Sequence, residues 1–215
     1  ISGYHELEGD SIERFNIAQS RWQSALSLPA TTTGILCLAT DGTDLYVGTE
    51  DAGVLQMSVA TTTGSGGLIQ SWDTSAGLSA NEVIDIEHDV LTDQMIAIHP
   101  FSGMSVIDTN STTVNETWTT NRGGLGTNQM NSLVVRGGIA YLGTNNRGVE
   151  RIDIANSTRL TPWTSTGLDD LESMPIAIDG DTLYLGMYGF GVIVYNVSTG
   201  EQTDVWQRTG GNGGP

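Results

Sequence analysis

The chain contains no lysine: all eight of its basic residues are arginine, set against 25 aspartates and glutamates, for a net charge of −17. A surface of that sign repels phosphate backbones and anionic headgroups, which excludes nucleic acid and membrane insertion as partners. The lysine-free, Thr-, Ser- and Asn-rich surface fits either a salty environment or drift in a secreted protein. A single cysteine, Cys37, excludes an internal disulfide. It lies in the apolar run Ile35-Leu36-Cys37-Leu38-Ala39 and reads as a buried strand residue rather than a nucleophile. No apolar stretch approaches the ~18 residues of a membrane span. Ile1-Ser2-Gly3-Tyr4-His5 lacks the basic start and apolar core of a signal peptide, and the start without Met suggests a trimmed or mature fragment. Disorder is excluded as well, because 38% of the residues are hydrophobic.

What is present is a repeat. Tryptophans stand at 22, 72, 118, 163 and 206, spaced 50, 46, 45 and 43 residues apart. A glycine followed by an apolar residue recurs at Gly53-Val54, Gly103-Met104, Gly148-Val149 and Gly191-Val192, and the two markers drift together. From glycine to tryptophan the distance is 15 residues in three units and 19 in the first, where Thr63-Gly64-Ser65-Gly66-Gly67 is inserted.

Between the markers each unit carries four short apolar segments separated by polar turns. First strands are predicted at 35–40, 83–87, 132–135 and 175–178, and second strands at 45–48, 94–98, 140–143 and 183–186. Third strands follow the marker glycine, at 54–59, 104–108, 149–154 and 192–197, and fourth strands end at the tryptophan. Turns such as Asp41-Gly42-Thr43-Asp44 and Arg136-Gly137-Gly138 have hairpin chemistry. A period near 45 with four strands per unit predicts an all-β fold, a β-propeller of four-stranded antiparallel blades. The complete blades are 35–82, 83–129, 130–173 and 174–207, within one domain, 1–215. A partial N-terminal blade, 1–28, holds third and fourth strands, at 12–17 and 21–22, and lacks the first strand and most of the second. The chain is therefore either a five-bladed ring with one thin blade or a fragment of a larger propeller. The tryptophans are expected to pack between blades rather than form a stacking platform for sugars.

The connectors carry a phrase, Gly77-Leu78-Ser79-Ala80-Asn81-Glu82-Val83-Ile84, repeated as Gly124-Leu125-Gly126-Thr127-Asn128-Gln129-Met130 and loosely as Gly167-Leu168-Asp169-Asp170-Leu171. With Leu45-Tyr46-Val47-Gly48-Thr49 and Ala140-Tyr141-Leu142-Gly143-Thr144, it resembles the two-component-regulator propeller repeat. The segment from Gln94 to Gly103 departs from it, lacking the Gly-Thr pair. The resemblance implies a periplasmic or extracellular sensing module.

In a propeller the second-to-third-strand loops and the connectors share one face, where binding residues are expected. The candidates are Glu50, Asp51, His99, Phe101, Asn145, Asn146, Arg147, Tyr188 and Phe190. They would hold a small molecule, glycan or protein on an extracellular or cell-surface module, with self-association through the incomplete blade. No catalytic residue is assigned. The rival reading is a polysaccharide lyase or glycosidase, with His99, Arg147 and Tyr188 as base and anion-stabilising set. A third is a structural segment of a large surface protein. The three histidines share no metal-ligand spacing, so neither a metal nor a cofactor is expected. Calcium at the acidic turns Asp41–Asp44 and 179–181 is the weak exception. Glycosylation sequons at Asn110, Asn115, Asn156 and Asn196 point to extracellular exposure.

Overall fold

In the computed structural model the described residues are 11–29, 32–59, 67–145, 147–164 and 173–207. They form eighteen strands and no helix. β1 (Ser11–Asn16) and β2 (Arg21–Ser27) make a two-stranded antiparallel pair. Four four-stranded antiparallel sheets follow, each a simple meander. The first holds β3 (Ile35–Thr40), β4 (Asp44–Thr49), β5 (Val54–Ser58) and β6 (Leu68–Trp72). The second holds β7 (Asp85–Asp89), β8 (Gln94–His99), β9 (Gly103–Asp108) and β10 (Val114–Trp118). The third is β11 (Met130–Arg136), β12 (Ile139–Thr144), β13 (Gly148–Asp153) and β14 (Thr158–Trp163). The fourth is β15 (Ser173–Asp179), β16 (Thr182–Met187), β17 (Gly191–Asn196) and β18 (Gln202–Gln207). The expected strands agree with these to within about two residues at most ends, although β2 runs on to Ser27 and β11 starts at Met130.

The hairpins follow from local chemistry. Between β3 and β4, Asp41 Oδ1 accepts the amides of Thr43 (2.7 Å) and Asp44 (2.8 Å), an Asx turn. Between β11 and β12, Gly137 and Gly138 both take positive φ (59° and 78°), as a two-residue turn that follows the strand twist requires.

The coupled drift of glycine and tryptophan has a direct cause. Gly53, Gly103, Gly148 and Gly191 all have positive φ. A Cβ on any of them would lie within 2.0–2.3 Å of the carbonyl oxygen of Trp72, Trp118, Trp163 or Trp206 in the same sheet. The third strand therefore starts where only glycine fits against the end of the fourth.

Period-two alternation sends each sheet's side chains to two neighbours. In the second sheet Met95, Ala97 and Ile107 pack with Tyr46, Val54 and Trp72 of the first. Ile96, Ile98, Met104 and Val106 pack instead with Leu133, Ala140, Leu142 and Ile152 of the third. Tyr141, Val149 and Trp163 in turn meet Leu183, Leu185 and Ile193 of the fourth. First strands adjoin in chain order, β3 beside β7, β7 beside β11 and β11 beside β15, and the sheets fan out from that row.

Side chains also cross along the row. Asp85 on β7 accepts the Leu133 amide (3.0 Å) and Glu87 accepts that of Val135, both on the side of β11 that faces away from β12. Burial pushes both carboxyls above their ordinary range. Cys37 donates to the Val83 carbonyl (3.4 Å), and burial pushes its thiol up to about 12, so it stays protonated.

The tryptophans divide. Trp72, Trp118 and Trp163 are 0%, 3% and 5% exposed beneath the next sheet, whereas Trp206 at the same repeat position is 51% exposed. No sheet follows it among the described residues. Trp22, edge-on to Phe15, is also exposed. At the opposite end Leu36 and Leu38 of β3 lie open, while the β1–β2 pair packs on the middle strands of the first sheet, around Val47, Leu55 and Met57. Among the described residues the row of sheets is not closed.

Candidate functional site

A cleft of about 540 Å³ opens over the third sheet at the end where connectors and second-to-third-strand loops gather. Thr127 and Gln129 come from the connector before β11, and Asn145 and Arg147 from the loop between β12 and β13. Glu150 of β13 and Arg159 of β14 lie along it, and Leu185, Met187, Ile193 and Tyr195 of the fourth sheet form an apolar wall.

Its polar floor is built around one buried carboxylate. Glu150 is 1% exposed and takes two charge-assisted hydrogen bonds from Arg159, Nε to Oε2 at 2.7 Å and Nη2 to Oε1 at 2.8 Å. The Gly126 amide donates to the same Oε1 at 3.0 Å. These bonds to Glu150 hold the Arg159 guanidinium above its ordinary pKa. Gly126 is required for space: a Cβ there would fall 2.4 Å from Glu150 Oε1 and 3.3 Å from Arg147 Cδ. Arg147 is exposed and makes no ion pair or hydrogen bond with any described residue. The connector and the loop are joined by the Asn145 amide donating to the Gln129 carbonyl (3.1 Å).

Of the nine residues expected on the binding face, Asn145 and Arg147 line this cleft. Asn146 lies outside the described residues, as does the loose connector phrase from Gly167 to Leu171. Glu50 and Asp51 tie down the entry to the first sheet. The Glu50 amide donates to Gly34 O (2.9 Å), and Asp51 Oδ1 accepts the Thr33 amide (3.0 Å). That bond holds the Asp51 carboxyl below its usual range. Phe101 and Tyr188 stand exposed on their turns, and Phe190 packs at the edge of the cluster around Trp163.

His99 is placed differently from the sequence expectation. It is not a rim residue but the last residue of β8, fully buried, with Nδ1 2.8 Å from the Glu82 carbonyl and Nε2 2.9 Å from Ser105 Oγ. Four residues before the marker glycine it occupies the position of Thr49 and Thr144, whose hydroxyls donate to Gly53 O and Gly148 O (2.9 Å each). The set His99, Arg147 and Tyr188 is not assembled: the cleft takes in Arg147 alone of the three.

Burial pulls His99 down from 6.5 to about 4. The unfolded chain takes up a proton below pH 6.5 and the folded chain does not until pH 4, so stability is complete above 6.5 and falls with pH through that window. The expected loss is about 3 kcal/mol. Raised carboxyls at Asp85 and Glu87 act in the opposite sense, so the measurement is a comparison. Denaturant unfolding of wild type and His99→Thr across that window should show the acid-dependent loss in wild type alone. Parallel curves would refute the assignment.

Among the described residues no group of three or more His, Cys, Asp or Glu side chains gathers as a metal site. In the acidic turns the Asp41, Asp44 and Asp181 carboxylates already accept hydrogen bonds from protein donors. Burial opposes it, yet Asp41 is held below its ordinary range by the Asp44 and Thr43 amides and the Tyr46 hydroxyl. Asp181 accepts from Ser198 Oγ (2.7 Å) and Asn196 Nδ2 (2.8 Å), which occupies the amide of that sequon. Asn110 and Asn115 are exposed.

Glu150 and Arg159 escaped the sequence reading, although a signal existed. Two residues beyond the marker glycine the other units carry Leu55, Ser105 and Ile193, so Glu150 is a lone charge at a core position. Such a charge demands a partner.

This fold occurs among solved structures. The extracellular domain of BT4673 of B. thetaiotaomicron, a proposed one-component or hybrid two-component system, superimposes with a TM-score of 0.75 at 16% identity, over 93% of this chain and 27% of that one. The chain thus spans about a quarter of that domain's length. The computationally designed protein Ika4 matches with a TM-score of 0.64 at 15% identity, over 81% of this chain and 98% of its own. Apo AztD of Citrobacter koseri matches at 0.61 and 14% identity, over 93% and 56%. No family model matches the chain, and no curated protein does.

Proposed function

We propose that the chain is a run of β-propeller blades of the two-component-regulator type, acting as a non-catalytic, sensor-like module at the cell surface or outside the cell. It binds a small ligand in the cleft over the third sheet. The observation that carries this reading is the cleft itself: an open, polar-lined cavity whose floor is a buried carboxylate held by Arg159 and the Gly126 amide. That arrangement holds shape without supplying a reactive base. The row of adjoining first strands and the likeness to an extracellular sensor domain support the blade arrangement and the compartment. The bare faces at Trp206 and at Leu36 and Leu38 are where further blades or a second copy would pack.

The test is a titration of isotope-labelled protein with a mixed panel of sugars, amino acids and small organic acids, read on backbone amides. Compounds that bind should shift Gln129, Asn145 and Arg147 together. Gly126→Ala, which pushes into Glu150 and Arg147, should remove the response. Responses scattered over other loops, or untouched by Gly126→Ala, would sink the reading.

A further inference from the structure

Resting on that reading of the cleft, we infer that its ligand is a small hydroxylated monocarboxylate anchored on Arg147. The argument is one of remaining valences. Glu150 is ill placed to meet a cationic ligand: it is 1% exposed and already accepts three hydrogen bonds, from Arg159 Nη2 and the Gly126 amide at Oε1 and from Arg159 Nε at Oε2. The Glu150–Arg159 pair is neutral as a unit. The uncompensated charge at the cleft is therefore the guanidinium of Arg147, exposed and without a partner among the described residues. The side chains of Arg122 and Arg136 likewise make no hydrogen bond or ion pair with a described residue, but Arg147 is the one of the three that lines the cleft.

A guanidinium presents a planar fork that matches a carboxylate bidentately. One such fork suits a single negative charge. A phosphate dianion would need more donors and would meet the full repulsion of a protein at −17. The side chains flanking Arg147 are Thr127, Gln129 and Asn145, a hydroxyl and two amides that both donate and accept, which suits a body carrying hydroxyl groups.

Three probes share one ring and differ in charge: D-glucuronate, D-glucose and D-glucosamine. Titrated into the whole chain, glucuronate should shift the Gln129, Asn145 and Arg147 amides most strongly and glucosamine least. Arg147→Gln should weaken glucuronate at least about tenfold, the scale of one lost charge-assisted bond, while leaving the weaker glucose response in place. Arg147→Lys, which keeps the charge and loses the fork, should fall between. Equal responses to glucose and glucuronate, insensitive to Arg147→Gln, would overturn the anionic class and leave the cleft reading standing. Glucosamine binding as well as glucuronate would do the same. No shift at those amides with any of the three overturns the proposal, and the cleft reading then rests on the wider panel.

Discussion

Trp72→Ala will lower the unfolding free energy by about 4 kcal/mol, whereas Trp206→Ala, at the same repeat position, will cost about 1 kcal/mol or less. The difference comes from what lies over each ring. Trp72 is fully buried, near-parallel to Tyr46 with centroids 6.5 Å apart, and its indole donates to the Ser111 carbonyl of the following sheet at 2.9 Å. Truncation there opens a cavity between two sheets and removes one of the two hydrogen bonds to the Ser111 carbonyl, the other coming from Gln70 Nε2. Trp206 rests on Tyr184 of its own sheet, at 5.4 Å, and its indole donates to the exposed Asp204 carboxylate at 2.7 Å. Both groups are rehydrated when the ring is removed. Denaturant midpoints of the two variants, measured with the slope of the transition, provide the check. Equal losses would mean that Trp206 is covered in solution, and that the face described as open is an interface.

The second large effect is expected at the cleft floor. Arg159→Met should destabilise by about 3 kcal/mol, because it leaves the Glu150 carboxylate buried with only the Gly126 amide for company. Adding Glu150→Met should restore most of the loss, since two apolar side chains in a space lined by Leu185 and Ile193 carry no desolvation cost. A double-mutant cycle in thermal or chemical unfolding gives the coupling directly. If the double variant is no more stable than Arg159→Met alone, the pair does not work as a unit.

The architecture was legible to the extent that it depends on period. β3 was expected at 35–40 and is found at Ile35–Thr40, because an apolar run between a glycine and an Asx turn has few alternatives. Marker glycines and tryptophans were legible for a related reason: a steric contact within every unit forbids a side chain at one position and fixes the other. Trp206 was misjudged because burial of a fourth-strand tryptophan depends on the next sheet, which local pattern does not contain. The site was less legible than the fold. His99 follows an apolar strand and precedes Pro100, so it read as a loop residue, and only its alignment with Thr49 and Thr144 reveals an interior position. Arg147 and Asn145 were reached because they stand in a loop that differs from its counterparts. Glu150 and Arg159 were not, because they are adjacent only after β13 and β14 pair.

The crossing carboxylates of β7 carry a last consequence. A first strand with one neighbour presents a line of bare amides, the template on which strand addition and fibril growth begin. On β11 two of those amides are already engaged, by Asp85 and by Glu87. An incoming strand would have to displace two partly buried anions before it could pair. The acidity of this chain thus does more than repel at a distance: it guards a backbone edge against being copied.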